Sequence, residues 1–253
     1  MIKSKKLSRF KEIEHYFFNR LGGKSNGIYK SLNCGSGSLD NKRNILKNLT
    51  VVRKRIKSKL NKIILLNQIH SNKFYYIDRT SKFYHKNFVG DALITNKSNT
   101  PIAVLTADCA PILMFDNKKK IIAAVHAGWK GAYKEIIKKV VKFMIKKGSS
   151  TKDITAVIGP CISFKNYEVK QDFIKKFIKK DPNCKVFFKN IRDKNYFNLN
   201  KYVAYQLKSL NIKKVEVINK DTFNIKNNFF SARRSISCNE NDYGRNISVI
   251  MIN

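Results

Sequence analysis

The chain has 253 residues, 43% of them apolar, so it can bury a sizeable core. It has no apolar run of about 18 residues, which excludes a membrane-spanning helix, and its five scattered cysteines exclude a disulfide framework. The net charge of +35 raises nucleic acid as a partner, but only ten of the 52 basic residues are Arg, the lysines are spread along the whole chain, and no aromatic motif interleaves them. That pattern predicts loose, salt-sensitive contact with polyanions and no specific nucleic-acid partner.

The basic N-terminus is not followed by an apolar stretch of signal-peptide length, so a cytoplasmic protein is expected. Residues 12–20 read as a strand, and LGGKSNGIYKSLNCG after them as a glycine-rich loop whose backbone N–H groups could cradle an anion. Residues 41–60 have helical period, with Ile45, Leu49, Val52 and Ile56 on one face. Residues 62–69, 92–95, 102–106, 112–115 and 121–125 read as buried strands. Residues 129–147 read as one amphipathic helix stopped by Gly148. A strand at 154–158, helices at 171–179 and 200–210, and strands at 215–218 and 247–252 complete the chain. Strands alternate with helices, yet several strands are adjacent. The expected class is therefore α+β (mixed α/β), with mixed sheets and helices packed outside. No linker or repeat divides residues 1–253, so a single domain is expected.

The chemistry concentrates at three strand ends. His70 follows ILLNQI, Cys109 follows IAVLTAD, and His126 follows IIAAV. If those strands are neighbours, two imidazoles and a thiolate meet at one sheet edge. Such a set suits zinc, and three protein ligands leave a fourth place open, the pattern of catalytic sites, where bound water has its pKa lowered to about 7. Asp91 and Asp108 are candidate supporting or general acid/base groups. The same residues allow a metal-free alternative, with Cys109 as nucleophile, His126 as base and Asp91 or Asp108 orienting it. His15 reads as a packed or hydrogen-bonded residue, His85 as exposed, and Cys161 as a small buried residue. Arg is scarce here, so Arg233, Arg234 and Arg245, close together near the C-terminus, read as planar contacts to phosphate or carboxylate, with a buried salt bridge as the alternative.

The segments FFNRLGGKSNGIYKSLN, NQIHS, GDALITN, TADCAPILMFD, AAVHAGWKG, IGPCISFKNYEV and FFSARR…GR, in that order, resemble the laccase-domain (polyphenol-oxidase-like) purine nucleoside phosphorylase family, also called the cytoplasmic peptidoglycan editing factor family. The resemblance covers nearly the full length. It implies an αββα sandwich and zinc held by His70, Cys109 and His126. It also implies phosphorolysis of adenosine, inosine and methylthioadenosine, and deamination of adenosine by zinc-bound hydroxide. Substrate and phosphate would meet Arg20, Asn33, Lys130, Arg233, Arg234 and Arg245. The partners implied are a purine nucleoside and phosphate, with the chain a monomer or weak homo-oligomer. The laccase label implies copper, which four histidines support poorly. A thiol amidase that edits peptidoglycan precursors is the alternative activity. The chain departs from the family pattern at Lys130, at Leu49 and at Ala232, all of which bear on the phosphate contacts.

Overall fold

The computed structural model describes residues 1–78 and 88–253; His85 lies outside the described residues. Twelve strands and six α-helices are formed among them. The strands are β1 (Ile13–Phe17), β2 (Phe74–Ile77), β3 (Ala92–Thr95), β4 (Ile102–Thr106), β5 (Ala110–Asp116), β6 (Ile121–Ala127), β7 (Ile154–Ile158), β8 (Glu168–Val169), β9 (Phe188–Ile191), β10 (Lys194–Phe197), β11 (Lys214–Val217) and β12 (Asn246–Ile252). The helices are α1 (Lys42–Arg55), α2 (Trp129–Tyr133), α3 (Ile136–Lys146), α4 (Gln171–Lys180), α5 (Leu199–Ser209) and α6 (Ala232–Ser237).

Alternation along the strands builds the layers. In β12, Ile250 and Ile252 face one core, while Ile247, Val249 and Met251 face another. In β6, Ile122 and Ala124 face the first of these cores, and Ile121, Ala123 and Val125 face a third. Side chains of period two thus fill three cores between four layers. An antiparallel sheet in the order β1-β12-β4 is backed by α1 through Val52. A six-stranded sheet in the order β11-β7-β5-β6-β3-β2 is backed by α3 and α5. The two sheets face each other across Phe17, Leu93, Val104, Leu113 and Phe115. The result is the expected αββα sandwich. The larger sheet is mixed, with β11–β7 and β2–β3 parallel and its other pairs antiparallel. Among the described residues no helix is long and apolar enough to cross a membrane.

Two sequence expectations change, and some elements were not expected. Residues 62–69 form no strand; they make isolated bridges only, Ile64 with Ile102 and Asn67 with Val89. The Gln68 side chain replaces part of the ladder, donating to the Leu105 carbonyl at 2.7 Å and accepting from the Leu105 N–H at 2.7 Å. The helix expected at 129–147 breaks at Glu135, which has φ 63°. Side chains donate to the carbonyls at the break: Gln206 to Ala132, Lys180 to Tyr133 and Asn72 to Lys134. β2, α6 and the β9–β10 hairpin carry no periodic signal. The hairpin turns on Arg192 and Asp193, both with positive φ, as a two-residue mirror-image turn requires.

Candidate metal centre

The sheet register delivers the ligands. Pro111 on β5 pairs with His126 on β6, and Ala110 with Ala127, so Cys109 enters β5 beside His126. Cys109 does not end a strand. β4 stops at Thr106 in the smaller sheet, and residues 107–109 carry the chain across to the larger one, with Asp108 at φ 82°. His70 sits in the loop before β2, at φ 58°. The donor atoms of His70, Cys109 and His126 all lie within 4.8 Å of one another. Cys109 Sγ is 3.6 Å from His70 Nε2, and the two imidazoles meet edge to face with centroids 4.7 Å apart. Gly128 explains how they can crowd so closely. A Cβ there would lie 2.6 Å from Cys109 Sγ and 2.8 Å from His70 Cδ2, so only glycine fits.

Asp91, fully buried just before β3, ties two of the ligands together. Its Oδ1 accepts from the His70 N–H at 2.9 Å and from His126 Nδ1 at 2.8 Å. Its Oδ2 accepts from the N–H and the hydroxyl of Ser71, both at 2.6 Å. With Nδ1 donating to Asp91, His126 has its Nε2 lone pair free for a metal. Burial by itself would raise the Asp91 pKa, but the hydrogen bonds from His126 and Ser71 outweigh it and hold the carboxyl below its ordinary value. Burial likewise opposes ionisation of Cys109, yet His126 and His70 bring the thiol down to about 6. His126 rises to about 9, because Cys109 and Asp91 overcome its burial. The thiolate is the form in which Cys109 ligates metal, and His126, protonated at neutral pH without a metal, would release its Nε2 proton on binding one. The spacing also fits: nitrogen and sulfur atoms bound at 2.0–2.3 Å in a tetrahedron stand about 3.5 Å apart.

Asp108 turns away from this cluster. Its Oδ1 accepts from the Thr222 hydroxyl at 2.6 Å, and its Oδ2 from the Ser231 hydroxyl at 2.9 Å and the Arg233 N–H at 2.7 Å. Burial dominates these hydrogen bonds and raises its pKa.

A cavity of about 580 Å³ opens onto His70, Cys109 and His126, and among the described residues Arg245 is the one arginine on its wall. Arg245 donates to the Tyr243 carbonyl at 3.0 Å and lies 3.8 Å from Asp242. The remaining phosphate candidates are placed elsewhere. Arg234 is spent on the carbonyls of Thr222, Phe223 and Phe229, which makes it a strut for that loop. Arg233 donates to the Glu168 carbonyl and lies over Tyr167 in a separate groove beside Trp129. Lys130 is exposed over Trp129, and Arg20 lies over Phe230. Asn33 is fully buried, donating to Ser38 and Asp40 and accepting from the N–H groups of Gly35 and Arg245. The glycine-rich loop spends the N–H groups of Gly23, Lys24, Ser25 and Gly35 on its own surroundings. Cys161 is buried against Asn200, clear of the cavity. Sequence reasoning passed over Ser71, Gln68, Asn67 and Thr222. All four are uncharged polar side chains outside the strands, with no periodic or charge signal; only the NQIHS segment around His70 marks the first three.

Comparisons with known proteins identify the family. A family model described as multi-copper polyphenol oxidoreductase laccase matches residues 14–253. A Rickettsia conorii protein named purine nucleoside phosphorylase is 38% identical over 187 residues, 73% of this chain and 75% of that one. A Haemophilus influenzae protein of the same name is 33% identical over 243 residues, covering 95% and 94%. A crystal structure from Neisseria meningitidis superposes with a TM-score of 0.85 at 27% identity, covering 96% of this chain and 95% of that one. The chain belongs to this laccase-like family, in which curated relatives are named purine nucleoside phosphorylase.

Proposed function

We propose that this chain is a zinc-dependent purine nucleoside phosphorylase of the cytoplasm, with residues 1–253 as one catalytic domain. Its substrates are adenosine, inosine and methylthioadenosine. The observation that carries the reading is the convergence of His70, Cys109 and His126 at the head of a cavity, in a chain whose relatives bear that name. Two nitrogens and one sulfur favour zinc. Copper, which the family description evokes, would need more ligand clusters for multicopper chemistry, and among the described residues these three form the only group. A zinc ion held by His70, Cys109 and His126 would supply a Lewis acid at the cavity.

In phosphorolysis the C1′–N9 bond breaks, a phosphate oxygen bonds C1′, and the base leaves with a proton. Arg245 is the phosphate anchor, because among the described residues it alone brings a guanidinium to the cavity wall. Asp91 acts through His126 and His70, fixing a tautomer and a ring orientation. Asp108 positions Cys109 by fastening the crossing loop to Thr222 and Ser231. Deamination of adenosine is a second activity of the same centre, with C6 in place of C1′ at the reacting position. Metal analysis of freshly purified protein, followed by incubation with nucleoside and phosphate, tests the proposal. Zinc near one equivalent, with free base and ribose 1-phosphate formed, supports it; metal-free protein that yields neither overturns it.

A second reading has its own support. Cys109, His126 and Asp91 stand in line as nucleophile, base and orienting carboxylate, the arrangement of a thiol amidase acting on peptidoglycan precursors. Amidase activity that survives a chelator favours this reading, and activity lost with the metal excludes it.

A further inference from the structure

A second cavity, of about 430 Å³, lies among the α2–α3 break, α4 and α5, and it shares no lining residue with the cavity over the metal centre. Much of its wall is aromatic. Phe177 is fully buried and meets Tyr133 and Tyr202 with centroids 5.1 Å and 5.3 Å apart, and the exposed Tyr205 adds a fourth ring. The charges on the wall cancel, two acids against two lysines, and most are engaged. Glu135 pairs with Lys138 at 3.1 Å, Asp181 accepts from the Asn183 N–H at 2.9 Å, and Lys180 donates to the Tyr133 carbonyl. Cys184 is no nucleophile here: burial, with Asp181 beside it, pushes its thiol up to about 11, so it stays protonated. This wall is suited to binding and carries no activated group.

One polar demand is unmet. Gln206 spends its Nε2 on the Ala132 carbonyl at 2.9 Å and on the Tyr202 hydroxyl at 3.1 Å, while its Oε1 is buried and has no donor among the described residues. Turning the amide over gives no relief. A carbonyl only accepts, so Oε1 cannot take the place of Nε2 opposite Ala132. A buried acceptor without a donor is costly, and a ligand that brings one recovers that cost. We propose that this cavity is a binding site for a small, flat, uncharged aromatic molecule carrying an N–H, its ring against Tyr133, Phe177 and Tyr202 and its N–H donated to Gln206 Oε1. The aromatic wall sets the flat shape. The cancelled charges leave nothing to repay the desolvation of an ion. The orphaned acceptor demands the donor, and the volume is that of an ordinary small-molecule site. The site is independent of the nucleoside reading, since none of its residues touches the metal centre's cavity.

Indole and benzofuran test the proposal. They are alike in shape, and a ring oxygen in benzofuran replaces the N–H of indole. Benzofuran is the more hydrophobic, so apolar burial alone favours it. In calorimetric titration of the intact protein, indole should bind at one site roughly 5- to 150-fold more tightly than benzofuran. Its affinity should be the same in metal-loaded protein and in chelator. Gln206→Met should bring indole down to the level of benzofuran. That variant also takes a donor from Ala132, so its Tm is expected to fall. Tyr205→Ala, at an exposed position, should keep the wild-type Tm, weaken both probes roughly 2- to 12-fold and preserve their ratio. No binding of indole, or equal affinity for the two probes, as when a water already satisfies Gln206, overturns the proposal. So does indole affinity that disappears with the metal, or that is unchanged in Tyr205→Ala.

Discussion

Two buried aspartates flank the centre, and they behave in opposite ways. Asp91 lies at the histidine side and Asp108 at the cysteine side. Each is saturated or nearly so: Asp91 accepts four hydrogen bonds and Asp108 three. Yet the Asp91 pKa is lowered and that of Asp108 raised. The partners explain the difference. Asp91 faces an imidazole that can carry positive charge, whereas the hydrogen-bond donors to Asp108 are two hydroxyls and an amide, all neutral, and these, even with the charge of Arg234 nearby, do not offset its burial. Hydrogen-bond count therefore does not distinguish a charged support from a structural staple. The charge of the partner does. Asp91 belongs to the electrostatics of the ligand cluster, and Asp108 to the geometry of the loop that presents Cys109.

Removing Asp91 should have the largest effect of any change outside the ligands. In Asp91→Ala the His126 tautomer is no longer fixed, and the N–H groups of His70 and Ser71 lose their acceptor. Metal affinity should fall 10- to 100-fold, and each donor left unsatisfied should cost about 1–3 kcal/mol of stability. Metal titration with a chromophoric chelator and urea unfolding of the metal-free protein measure the two losses separately. Asp91→Asn should fare little better, since its amide must either oppose the Nδ1 donor of His126 or present a donor to those of Ser71. An Asp91→Asn variant with wild-type metal affinity would collapse the contrast between the two aspartates.

Gly128 joins the two sides, because a Cβ at that position would meet both Cys109 and His70. Gly128→Ala should force the two ligands apart, with a strain cost of about 1–3 kcal/mol and a larger loss of metal affinity than of stability. Retained metal affinity would mean that the loops on either side can yield independently.

Much of this was legible in the chain. The strands at 92–95, 102–106 and 154–158 have the expected bounds, because fully buried strands are written as continuous apolar runs. The convergence of His70, Cys109 and His126 was legible from their place at the ends of such runs. The route by which they converge was not. Cys109 reads as the end of a strand, but the left-handed backbone at Asp108 turns the chain into the other sheet, and no propensity encodes that crossing. Residues 62–69 read as a strand because their apolar content is high, while Gln68 takes over the pairing with its side chain. The arginines misled for a related reason. A guanidinium spent on three carbonyls, as in Arg234, looks in sequence like one kept for phosphate.

The smallest effect, and the sharpest test of the comparison, lies in pH. A carboxyl whose pKa is lowered by folding contributes stability above the unfolded value, near 3.9, and loses it as pH falls through the folded value. Asp91 is of this kind. A carboxyl whose pKa is raised does the opposite: the native state resists ionisation, so stability declines as pH rises from the unfolded value through the folded one. Asp108 is of that kind. Asp108→Asn removes the charge and retains a carbonyl acceptor, and the hydroxyls of Thr222 and Ser231 can rotate to meet the amide, so the net cost should stay within about 1 kcal/mol. Between acid pH and neutrality the two variants should diverge: Asp91→Asn should lose ground to wild type as pH rises toward about 4 and keep a constant deficit above it, whereas Asp108→Asn should gain ground as pH rises above about 4. Urea midpoints across that range, taken in chelator so that metal binding does not enter, read both slopes directly. Slopes of the same sign would show that the two carboxylates share one electrostatic role, and that neutral donors can hold a buried charge as firmly as an imidazole does.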